Sequence, residues 1–163
     1  MRLSEKEFQT LLSKCPQLAA QLPGKSGNQP LKYRNVKVYV YSDGYVTYGE
    51  KDPTRGKPND VFDSTKEYNR WNELLLLEKA GNISNLSKQT KLIIQPATKS
   101  NGILIREIAY KADFMYNDAQ GRTIVEDVKP FDIKTQKHKT TKDFRIKWKL
   151  LQVKYPAFSF TIY

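Results

Sequence analysis

The sequence predicts an α/β domain: a helix, three strands, a second helix and a last strand, forming a central mixed sheet flanked by helices. An N-terminal helix and a hairpin precede this core. Three observations carry the prediction. Residues 64–80 and 141–153 repeat apolar side chains at helical spacing. Segments that read as strands, bounded by turn residues, lie between and after them. The chain has 163 residues, 39% hydrophobic and 12% aromatic, which suits one domain with a core of moderate size.

The elements follow in order. Residues 4–20 read as a helix, with Ser4 and Glu7 at capping-box spacing and Phe8, Leu11, Leu12 and Cys15 recurring at helical intervals. Pro16 weakens its end. The stretch from Pro23 to Pro30 reads as a linker, so residues 1–30 form an appendage and residues 31–163 the main domain. Val36, Val38 and Val40 alternate with Lys37, Tyr39 and Tyr41, and Ser42-Asp43-Gly44 turns the chain into Tyr45–Tyr48. Glu50–Asn59 is a loop. The 64–80 helix opens on a second capping-box pair, Ser64 and Glu67, and Gly81 sits at its C-terminal cap. Strands are expected at Leu92–Gln95, Ile103–Tyr116 and Thr123–Lys129. A helix over 141–153 and a last alternating strand, Phe158–Ile162, complete the order, with Tyr155-Pro156 between them.

Charge narrows the function classes. The chain carries 28 Lys and Arg against 17 Asp and Glu, a formal net charge of +11. This balance suits a polyanionic partner, nucleic acid or an anionic membrane surface. No stretch approaches the roughly 18–20 apolar residues of a membrane span. A single cysteine, Cys15, forms no internal disulfide and fits a reducing cytoplasm. With one Cys and one His, His138, a zinc site of such ligands is excluded. Glu5, Lys6 and Glu7 interrupt the apolar run a secretion signal needs.

The candidate chemistry lies on the second and third strands. Antiparallel pairing around the Asn117–Arg122 turn sets Asp113 opposite Asp127, Met115 opposite Val125 and Lys111 opposite Lys129. Two facing carboxylates repel each other, and a divalent cation between them removes the conflict. A lysine beside such a pair stabilises negative charge on a phosphate, as metal-assisted phosphodiester hydrolysis requires. Glu67 shares roughly the apolar face of its helix and offers a third carboxylate. Two other readings stand beside this one. Glu67 serves equally as the capping partner of Ser64, and Asp113 and Asp127 pair equally well with Lys111 and Lys129. A one-residue slip would also exchange Asp127 for Glu126. His138 reads as a surface residue rather than a general base.

Asp113 with Asp127-Val128-Lys129 resembles the PD-(D/E)xK nuclease signature, and the element order resembles the restriction-endonuclease-like core. Phe62–Glu67, Leu77–Gly81, Tyr110–Phe114, Val125–Lys129 and Lys154-Tyr155-Pro156 resemble a family of small phage-encoded proteins long without an assigned function. The resemblance covers roughly residues 31–163. It implies Glu67, Asp113 and Asp127 as ligands of Mg²⁺ or Mn²⁺ and Lys129 as the catalytic lysine. Ala112 replaces the proline of the signature, and Asp127 its more frequent glutamate.

The expected function is therefore metal-dependent cleavage of duplex or branched DNA in phage replication or recombination, in the cytoplasm of an infected bacterium. Within that class a junction resolvase leads, and its paired cuts imply a homodimer. Lys111, Lys134, Lys137, Lys139, Lys142, Arg145, Lys147 and Lys149 are expected phosphate contacts. Tyr33, Tyr39, Tyr41, Tyr45 and Tyr48, beside Lys32, Arg34 and Lys37, are either base-stacking residues or ordinary strand tyrosines. The competing readings are a non-catalytic nucleic-acid-binding module and a phage regulatory protein acting on a host partner.

Overall fold

The computed structural model describes residues Asn35–Tyr163. The expected helix over 4–20, the linker, Cys15, Lys32, Tyr33 and Arg34 lie outside them.

The hairpin forms as expected. Strands β1 (Val38–Val40) and β2 (Val46–Tyr48) pair antiparallel, with Val40 opposite Val46. Strand β3 (Asp60–Phe62) follows the expected loop and pairs with the other edge of β1. Val38, Val46 and Phe62 make its small apolar core. Tyr39 and Tyr41 are 9% and 4% exposed, and Tyr48 packs edge-on against Tyr68 at 6.4 Å. The rings of Tyr39 and Tyr41 are core material, which argues against base stacking by these two. Tyr45 is exposed, with the Arg55 guanidinium 4.0 Å from its ring centre.

Helix α1 (Thr65–Lys79) starts at the N-cap Ser64, whose hydroxyl accepts from the Glu67 N–H at 3.1 Å. It ends at Ala80, and Gly81 takes the left-handed φ of +73° that a helix exit requires. Strand β7 (Ile108–Asp118) pairs antiparallel with β4 (Ile83–Gln95) on one side and β8 (Thr123–Asp127) on the other, while β11 (Ser159–Ile162) joins β8 in parallel. The main sheet has the order β11-β8-β7-β4. The sheet is therefore mixed. The parallel pair needs a crossover, supplied by α2 (Lys142–Lys154), capped by Thr141.

The two helices cover opposite faces of the sheet. Leu74, Trp71 and Leu77 of α1 pack on Ile83, Phe114, Tyr116 and Val128. Phe144, Trp148 and Leu151 of α2 pack on Leu92, Ala112 and Val125. Alternation along β8 explains the division, because Val125 and Glu126 face opposite sides.

Two strand expectations are corrected, and one hairpin is added. The first core strand is β4, reaching back to Ile83 rather than starting at Leu92. Its polar run Ser87–Thr90 conceals it, and the ladder shifts between Ser84 and Ser87. The expected strand Ile103–Tyr116 is two elements. Strand β6 (Ile103–Ile105) pairs with β5 (Thr98–Ser100) around Asn101-Gly102, and β7 starts after Arg106-Glu107. Both Asn101 and Gly102 have positive φ, the backbone a two-residue hairpin turn demands. The lysine-rich stretch after Pro130 contains a short hairpin, β9 (Phe131–Asp132) with β10 (Lys137–His138). Among the described residues no helix is long and apolar enough to cross a membrane.

Candidate active site

The β7–β8 ladder pairs Met115 with Val125 as expected and ends at Phe114 opposite Glu126. The same register carries Asp113 and Asp127 to facing positions one step further on. There a side chain takes over from the backbone: the Val128 N–H donates to Asp113 Oδ2 at 2.7 Å. The other edge of β8 is occupied by the chain end, with the Tyr163 N–H donating to the Asp127 carbonyl at 2.9 Å.

Asp127 is 1% exposed. Its carboxylate accepts from the Tyr110 hydroxyl and pairs with the Lys129 ammonium. That ammonium also stands 4.7 Å from the centre of the Phe144 ring. Burial, then the Asp127 and Asp113 charges, push the Tyr110 phenol above its ordinary value, so it stays a donor. Asp113 shows the conflict most clearly. Burial first and the Asp127 charge second push its carboxyl up to about 7, while the Val128 N–H and Lys129 pull the other way.

Glu67 takes the capping role that the sequence offered it. Its Oε1 accepts from the Ser64 hydroxyl at 3.1 Å and its Oε2 from the Asp63 N–H at 3.2 Å. It also lines a small open pocket together with Asp113, Val61, Phe62, Lys88, Gln89 and Phe114. Burial raises its pKa, and Lys129 opposes that shift. Asp113 feels the charges of Asp127, Glu67 and Lys129, and Glu67 that of Lys129.

Glu126 belongs elsewhere. It is 1% exposed, on the α1 side, gripped by Arg70 Nε at 2.6 Å and Nη2 at 2.9 Å and by the Tyr116 hydroxyl at 2.9 Å. A slipped register would have to break this buried ion pair.

The donor set fits a hard divalent cation in kind. Mg²⁺ uses one or two carboxylates and keeps several waters, and Asp113 with Asp127 supplies two that repel each other. Among the described residues no three Asp, Glu, His or Cys side chains stand in an arrangement that could hold a metal ion. Glu67 is tied to the helix cap and Asp127 to Tyr110 and Lys129, so any third carboxylate must first leave its present donors.

Lys111 is corrected. It faces Lys91 of β4, not Lys129, because the β7–β8 ladder has ended by that point. Its side chain is exposed. Lys134, Lys137 and Lys139 lie exposed on and beside the β9–β10 hairpin, and Lys139 pairs with Asp132 at 3.6 Å. Lys142, Arg145 and Lys149 share an exposed stripe of α2 at i, i+3, i+7. Lys147 instead donates to the Ala109 carbonyl at 3.2 Å. His138 is half-buried, its ring edge-on to Phe131 at 5.1 Å.

Sequence reasoning missed Tyr110, Lys88 and Gln89. Tyr110 meets Asp127 across 17 positions, for which no local pattern exists. The other two fall in the part of β4 whose polar composition hid the strand. Neither the curated proteins nor the solved structures hold a match to the chain. The family model described as "Protein of unknown function (DUF1064)" matches residues 56–162, and the chain belongs to that family.

Proposed function

We propose that this protein is a divalent-metal-dependent endodeoxyribonuclease of the PD-(D/E)xK type, phage-encoded, and acting on DNA in replication or recombination in the host cytoplasm. The observation that carries the reading is the pair of facing carboxylates, Asp113 and Asp127, with Lys129 against one and Glu67 in the pocket of the other. A mixed sheet flanked by two helices, with these residues where two strands part, supports it.

Asp113 and Asp127 would hold Mg²⁺ or Mn²⁺, with Glu67 joining once released from its cap. The bound cation supplies charge neutralisation at the scissile phosphate and activation of the attacking water. Lys129 places an ammonium beside the reacting phosphate, where it stabilises developing negative charge. Tyr110 fixes one oxygen of Asp127 and leaves the carboxylate oriented. The exposed bases of α2 and the β9–β10 hairpin bind flanking phosphates. Branched DNA is the leading substrate, cut by a homodimer.

One observation favours a second reading. Each of the three carboxylates already has protein donors, as in a nucleic-acid-binding module that keeps the core without hydrolysis. Cleavage of linear, single-stranded, flapped and four-way DNA with and without Mg²⁺ separates the two. Cutting that needs Mg²⁺ supports the enzyme; binding without cutting supports the module.

A further inference from the structure

In the β4–β7 ladder Lys88 pairs with Phe114 and Thr90 with Ala112. The residue between them, Gln89, therefore stands across from Asp113, as Asp127 does on the other side. Gln89 departs from the strand around it, with a φ of +53°. A non-glycine residue holds this left-handed backbone at a cost of roughly 1–2 kcal/mol. The strain sits on an edge strand, and Gln89 is exposed and lines the pocket shared by Glu67 and Asp113. Lys88 lines the same pocket. Its ammonium pairs with Asp60 and lies 5.0 and 5.2 Å from the ring centres of Phe62 and Trp71.

We propose that Gln89 is a phosphate-binding residue of this site, its carboxamide N–H donating to a non-bridging oxygen of the DNA backbone beside the Lys88 ammonium. The inference rests on the DNA-processing reading above. The position explains the residue type. A carboxylate next to Asp113 would repel phosphate, and a lysine there would pair with Asp113 instead. A neutral amide offers two donors without doing either.

The test uses the full 163-residue chain and a fluorescein-labelled four-way junction and duplex, in EDTA, so that no divalent cation takes part. Gln89→Gly removes the amide and suits the left-handed backbone, so its Tm holds or rises. Its affinity falls about tenfold, the loss of one hydrogen bond to a charged group. Gln89→Glu binds more weakly still. A glycine variant binding within about twofold of the parent, a glycine variant with a lowered Tm, or a glutamate variant no weaker than glycine overturns the assignment. Cutting by the parent in Mg²⁺ is read in parallel. A parent that shows this order of affinities without cutting keeps the phosphate contact and sinks the hydrolase; a parent that cuts without the order does the reverse.

Discussion

Asp113 holds a proton far more tightly in the folded chain than in the unfolded one, about 7 against an ordinary 3.8. Between those values the native state binds the proton and the unfolded chain does not. Stability therefore falls as pH rises through that window. Asp113→Asn removes the penalty and raises stability near pH 8 by on the order of 2 kcal/mol, a gain that vanishes below about pH 4. Thermal melts of the two proteins across pH read this directly. Glu126 and Asp127 are neighbours with opposite duties, and their variants should separate. Arg70→Met leaves Glu126 buried and unpaired and costs about 3–5 kcal/mol in denaturant unfolding. Glu126→Gln likewise loses stability but keeps cleavage below its unfolding temperature. Asp127→Asn keeps the fold and loses cleavage.

At the scale of elements, the N-cap of α1 links folding to the site. Ser64→Ala removes the cap and costs about 1 kcal/mol by equilibrium unfolding, and it also removes one donor from Glu67. Both long helices, the first hairpin and the closing strand were legible in the sequence, because capping boxes and alternation are local signals. So was the facing of Asp113 and Asp127, since one turn fixes the register of both strands. What escaped depends on distant partners. Strand β4 carries Asn85 and Gln89 at positive φ within a polar run, and only pairing with β7 makes it a strand. The Arg70–Glu126 grip spans 56 positions and Tyr110–Asp127 spans 17, so neither leaves a local trace. Lys111 sits away from Lys129 for a related reason: the β7–β8 ladder ends before it reaches that pair.

The molecule as a whole carries a net charge of +11. The logarithm of its DNA affinity should fall linearly with the logarithm of salt concentration. Replacing Lys142, Arg145 and Lys149 together by Gln should reduce that slope by roughly 2–3, with little change in Tm, because the three side chains are exposed. Fluorescence anisotropy over a salt series measures both slopes. Hydrolysis is expected at the carboxylates where β7 and β8 part. Its most direct test is the cleavage rate of a synthetic four-way junction by the parent and by Asp127→Asn, each in Mg²⁺ and in EDTA, with binding followed on the same DNA. The expectation is cutting by the parent in Mg²⁺ alone, and binding without cutting by the variant. Equal cutting by both proteins, or cutting that persists in EDTA, contradicts it.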